Sequence, residues 1–138
     1  MSSTIPTLER GRATAAYSAV YKIKDRGKVS KEYKSYAKKL PMMIKTNGLG
    51  PALTFAWSKG SNKTESAWGL LFSHIREWLT HSQNKHLVPQ YQPGQEFIQY
   101  LIGLNSFEYR AIAIEVLAYL GWVKRFVDGL IEGEADDL

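Results

Sequence analysis

The stretch LPMMIKTNGLGPALTFAWSKG (residues 40–60) carries one helix to its end, turns, and begins another. Asn47 and Gly48 are residue types that tolerate the left-handed backbone with which helices stop, and Pro51 has the fixed φ suited to a first helical turn. Ala52, Leu53, Phe55, Ala56 and Trp57 then make a segment too apolar for a surface. Two helices meeting at a tight, buried corner are expected. The Asn-Gly-Leu-Gly run is not a phosphate loop, because the dinucleotide fingerprint needs glycine at 53, where Leu53 stands, and no strand precedes it.

Upstream of the corner, residues 31–45 project at about 100° per residue into two stripes. Tyr33, Ala37, Leu40 and Ile44 share one side. Lys31, Lys34, Lys38 and Lys45 fall within about 60° of one another on the other side. The pattern describes a helix docked on a core with four ammonium groups outward. Pro41, which lacks a backbone donor, marks a place for a kink or restart. A first helix is expected over residues 7–24, with Ala13, Ala16, Val20 and Ile23 at helical spacing. The turn DRGKVS follows, with Ser30 as the expected N-cap.

Downstream, Asn62 and Glu65 have the spacing of a cap and its reciprocal partner, ahead of a helix that places Trp68, Leu71, Phe72, Ile75, Trp78 and Leu79 on one face. Residues 80–94 are an irregular connection held open by Pro89 and Pro93, and a short helix is expected over 95–104. Asn105 and Glu108 repeat the capping pattern and open a last helix to about Asp128, apolar nearly all round in the middle except for Glu115. No segment reads as a strand. An all-α, compact single-domain bundle of about six helices is expected over residues 1–138, with 1–6 and 131–138 as frayed tails.

The chain has 138 residues and no cysteine, so neither disulfides nor thiolate metal ligands are available to it. No run approaches the roughly 20 apolar residues that span a bilayer, and the start of the chain has no continuous apolar run of a signal peptide. A soluble cytoplasmic protein with no membrane partner is expected. The net charge of +5 hides a polarity. Residues 1–63 hold 13 Lys/Arg against 3 Asp/Glu, a balance of +10, and residues 64–138 hold 5 against 10, a balance of −5. A concentrated basic half suits phosphate neutralisation with counterion release. Opposite halves also suit a head-to-tail contact between copies, which propagates as a filament rather than closing as a dimer.

Residues 40–60 resemble a segment of the small α-helical subunit family of the type III-B CRISPR effector, the Cmr complex, in their Leu-Pro-x-x-Ile-x-x-Asn-Gly-Leu-Gly order and the Ser-Lys step after a short apolar helix. The last helix is similar to the C-terminal pattern of that family through Tyr109-Arg110, Glu115, Leu117, Tyr119, Trp122 and Lys124-Arg125-Phe126. The resemblance implies a non-catalytic subunit that stacks in a short filament beside guide-RNA-binding subunits and helps to hold target RNA in antiviral defence. Its implied partners are the other subunits, guide RNA, target RNA and copies of itself. Sequence specificity would then come from guide–target pairing, and a basic surface need only follow a sugar-phosphate chain.

The RNA-contact candidates are Arg12, Lys22, Lys34, Lys38, Lys45 and Lys59, chosen for charge and expected exposure, with Lys124 and Arg125 added by position in the pattern. Asn47, Gly48, Glu115 and Trp122 are expected to be structural, Glu115 as a buried partner of Arg110, Arg76 or backbone donors at the Asn47-Gly48 corner. Trp57, Trp68, Trp78 and Trp122 read as core, while Tyr17, Tyr21 and Tyr36 stand open as stacking rings. His74, Glu77 and His81 share a helical side, but their spacing is not the i, i+4 arrangement of a zinc helix. No metal, cofactor or catalytic residue is expected. The rival reading is a free-standing small helical nucleic-acid-binding protein. An enzyme finds little support without a nucleophile or paired carboxylates in a convincing setting.

Overall fold

The computed structural model describes residues 4–60 and 65–133, and among them every regular element is helical. The order is α1 (Thr4–Ile23), α2 (Lys28–Asn47), α3 (Leu49–Gly60), α4 (Ala67–Leu79), a 3-10 helix (Ser82–Leu87), α5 (Phe97–Ile102) and α6 (Ser106–Leu130). The all-α bundle expected from periodicity is the one observed.

Helix α2 is the central element, touching α3, α4 and α6, while α1 lies along α6. Its apolar stripe behaves as projected, with Tyr33, Ala37 and Leu40 fully buried and Ile44 nearly so. Pro41 does not restart the helix, which continues through it to Asn47. The fixed φ of proline is helical, and the surrounding packing outweighs one missing donor. Gly48 then takes φ 93°, a conformation that L side chains rarely adopt, and its N–H bonds the Ile44 carbonyl at 2.8 Å.

Helix α3 buries one side, Ala52, Leu53 and Ala56, rather than its whole circumference. Phe55 and Trp57 are exposed, which corrects the expectation that this segment is too apolar for a surface and that Trp57 is core. At the end of α3 the backbone of Gly60 lies against Gly69 of α4. A Cβ at 60 would overlap the Gly69 backbone, so the helices approach this closely only because residue 60 has no side chain.

Two caps differ from expectation. Ser30 is inside α2, not at its start, and Gly27 occupies the cap position. The Ser30 hydroxyl instead accepts from the Arg26 N–H at 2.7 Å and donates to the Ile23 carbonyl, tying α1 to α2. Helix α4 is capped by Ser66, whose hydroxyl accepts from the Gly69 N–H at 3.2 Å. Asn62 lies outside the described residues, and Glu65 pairs with Arg26. The Asn105/Glu108 capping box of α6 is present as read.

The C-terminal end also corrects the sequence. Residues 131–133 are docked, with Ile131 buried, and only 134–138 of that expected tail lie outside the described residues. Residues 4–6, within the other expected tail, belong to α1. No helix among the described residues is long and apolar enough to cross a membrane.

Candidate nucleic-acid interface

Glu115 joins three helices. On α6 it is 5% exposed, and the Arg12 guanidinium of α1 donates to both of its oxygens, Nε to Oε2 at 2.7 Å and Nη2 to Oε1 at 2.8 Å. Trp78 of α4 donates its indole N–H to Oε2 at 2.9 Å. Arg12 also holds Glu9 at 2.7 Å, and Glu9 accepts the Trp122 indole N–H at 3.0 Å. The hydrogen bond from Arg12 to Glu115 is the main reason that the guanidinium pKa is raised. Glu115 is therefore the buried partner that the sequence implied, with a different partner: Arg12 and Trp78 hold it rather than Arg110, Arg76 or the Asn47-Gly48 corner.

This geometry changes the reading of Arg12, whose side chain is 15% exposed and bound to two carboxylates. The exposure on which it was selected is absent. Lys34 is corrected in the same way. It is 6% exposed and donates to the carbonyls of Ile131 at 2.9 Å and Gly133 at 2.5 Å. On the projection Lys34 lies about 90° from the middle of the apolar stripe, at its border rather than on its back. The chain leaving α6 covers that border, where an ammonium group suits the carbonyl-rich end of a helix.

The remaining candidates face outward to different degrees. Lys38 is half-buried and pairs with Asp128 of α6 at 2.7 Å. Lys22, Lys45, Lys59 and Lys124 are exposed and have no carboxylate partner among the described residues; Lys59 rests over the Phe55 ring at 5.5 Å. Arg125 is exposed, with its guanidinium 4.8 Å above the Trp122 ring. These residues do not form one groove. Lys22 borders a cleft of about 810 Å³ between α1 and α4, and Lys45 borders another of about 600 Å³ between the corner, α5 and α6.

Sequence reasoning gave Arg10 and Arg110 no RNA-facing role, although both are exposed. Arg10 shares the first cleft with Lys22, and Arg110 the second with Lys45. Projection of α1 carries the signal for Arg10, which lies within about 40° of Tyr17, Tyr21 and Lys24. The second cleft also joins the two quoted segments. Tyr109 of α6 lies against Gly48 and Gly50, and its hydroxyl accepts the Gly50 N–H.

In the first cleft His74 is turned inward, its Nδ1 2.8 Å from the Tyr33 hydroxyl. Burial, with help from Lys22 and Arg26, lowers its pKa to about 4, so the ring is neutral at pH 7. Burial also pushes the Tyr33 and Tyr119 hydroxyls above the usual tyrosine range. His81 accepts the Gln83 N–H at 3.2 Å. No group of three or more His, Asp or Glu is placed to hold a metal ion among the described residues.

The molecule so described is a small all-α protein whose outward cations lie around a core pinned by one buried ion pair. The chain belongs to the CRISPR-associated Cas_Cmr5 protein family, whose sequence pattern it matches over residues 8–130. It is 30% identical over 119 residues to the CRISPR system Cmr subunit Cmr5 of Thermus thermophilus, a match covering 85% of this chain and 92% of that relative. The family recognised in residues 40–60 and 109–126 is the family found.

Proposed function

We propose that this protein is a non-catalytic small subunit of a Cmr-type RNA-guided effector complex, acting inside the cell, and that it holds the sugar-phosphate chain of a target RNA while guide pairing supplies sequence specificity. The observation that carries this reading is the set Lys22, Lys45, Lys59 and Lys124, exposed and without carboxylate partners among the described residues, on a chain of the Cas_Cmr5 family. Cations of this kind exchange counterions for phosphates without reading bases. Lysine side chains act as mobile point charges suited to that task. Purification of the tagged protein from its host, with sequencing of the RNA that accompanies it, tests the reading. Recovery of guide-RNA-binding subunits and repeat-derived RNA is the expected result. Recovery of the protein alone, or with DNA, would favour the free-standing nucleic-acid-binding alternative.

Stacking of copies head-to-tail belongs to the same proposal. The polarity of the two halves supports it, although Arg12–Glu115, Arg26–Glu65 and Lys38–Asp128 neutralise part of that polarity inside one chain. Weak self-association that fades with salt is expected in sedimentation, and a strict monomer at low salt and high concentration would argue against it.

A further inference from the structure

The outer face of α1 carries a group of rings that the lysine reading does not use. Tyr17 and Tyr21 are 45% and 53% exposed and stack on each other, with centroids 5.7 Å apart and planes 22° from parallel. Tyr17 meets the Phe126 ring of α6 edge-on at 5.3 Å, and Phe126 stacks against Trp122 at 5.8 Å. Cations frame the series. Lys24 lies 5.0 Å over Tyr21, Arg125 lies over Trp122, and Arg10 projects along the same side of α1.

We infer that Tyr17 and Tyr21, backed by Phe126 and Trp122, form a stacking site for unpaired bases of a single-stranded RNA whose phosphates are met by Arg10, Lys24 and Arg125. The inference rests on the RNA-holding reading above and adds contact with bases to contact with the backbone.

Three features favour RNA over a protein partner. Among the described residues the large exposed apolar side chains of α1 are both aromatic, whereas exposed aliphatic ones, Met42, Ile102 and Ile114, belong to other helices. Every base has a π-face, so such a site is sequence-tolerant, as guide-directed recognition requires. Among the described residues, two carboxylates that meet the site's side chains are already engaged, Asp25 with Lys24 at 2.9 Å and Glu9 with Arg12 and Trp122. Arriving phosphate would compete with Asp25 for the Lys24 ammonium. The back of the site is also held firm, since Trp122 is tied through Glu9 and Arg12 to Glu115.

The test uses the full chain, a fluorescent 15-nucleotide oligouridylate, and an abasic ribose-phosphate strand of the same length. Wild-type protein is expected to prefer the base-bearing strand. Tyr17→Ala/Tyr21→Ala should weaken oligouridylate binding roughly tenfold or more and bring the two strands level, with an unchanged salt slope. Tyr17→Phe/Tyr21→Phe should retain the preference, because the ring rather than the hydroxyl is required. Thermal melting checks that the alanine pair is folded, as expected for two half-exposed rings. Equal binding by wild type and the alanine pair would overturn the stacking site and leave backbone holding intact. Failure of wild-type protein to bind either strand would overturn both. Loss of self-association with RNA affinity unchanged would reassign the rings to a contact between copies.

Discussion

The two faces of α1 put similar side chains to opposite uses. On the inner face Arg12 forms a two-pronged pair with Glu115, beside Trp78 and beneath Glu9 and Trp122. On the outer face Arg10 is exposed, and Lys24 lies over the ring of the exposed Tyr21 and pairs with Asp25, while Lys22 is exposed at the cleft beside α4. Positive charge on the inner face ties α1, α4 and α6 together, and on the outer face it reaches the surface, where the proposed phosphate contacts fall. Helix α2 repeats the division, with Lys34 inside and Lys31 and Lys45 outside. Charge alone therefore does not tell which side chains reach the surface; the element packed over each one decides it.

The sharpest way to break this comparison is Glu115→Ala. Removing one member of a buried pair leaves the Trp78 N–H without its acceptor and Arg12 with Glu9 alone, at a typical cost of about 3–5 kcal/mol. A large fall in the urea midpoint is expected, and a variant as stable as wild type would mean that the network is not holding the bundle.

The next largest effect is pH-dependent and belongs to His74. Its folded pKa of about 4 lies below the ordinary 6.5, so the unfolded chain takes up the proton first as pH falls. Stability from this residue is complete above about pH 6.5 and is lost between 6.5 and 4, by about 3 kcal/mol at the acid end. Denaturant midpoints at pH 7.5 and 4.5 should show a smaller decline for His74→Gln than for wild type. Equal declines would contradict the buried, neutral imidazole.

Lys34→Met sharpens the division on α2. The variant keeps an aliphatic stem but orphans the Ile131 and Gly133 carbonyls, at about 1–2 kcal/mol. Its RNA affinity should match wild type, measured in the assembled complex. Lys45→Ala should do the reverse, changing stability by less than about 0.5 kcal/mol while lowering the salt slope of RNA binding by about one. Exchange of those two outcomes would invert the assignment of inside and outside.

The helices were legible because apolar periodicity and capping chemistry are local. The Asn105/Glu108 box, the α2 stripe and the Gly48 stop each depend on neighbours within a few residues. Burial of Lys34 and Arg12 was hidden because it depends on partners 97 to 103 positions away in sequence. Glu115 could be recognised as buried from its apolar neighbours, but its partner could not, since a projection of α6 does not say which face of α1 or α4 packs against it. Trp57 shows the opposite failure, an apolar residue left outside because α3 is covered on one side only. Among the candidate contacts, exposure was as expected for Lys22, Lys45, Lys59, Lys124 and Arg125 but not for Arg12, Lys34 and Lys38. The Tyr17–Tyr21 stack was legible as an i, i+4 pair, but its backing by Phe126 was not.

The most direct test of the central claim is ultraviolet crosslinking of the complex purified from its host, followed by mass spectrometry of RNA-bound peptides from this subunit. RNA held by the outward cations and rings predicts crosslinks at Tyr17, Tyr21, Lys22, Lys45 or Lys59, and none at Arg12 or Lys34. Crosslinks confined to other faces, or a complex in which this subunit contacts no RNA, would contradict it.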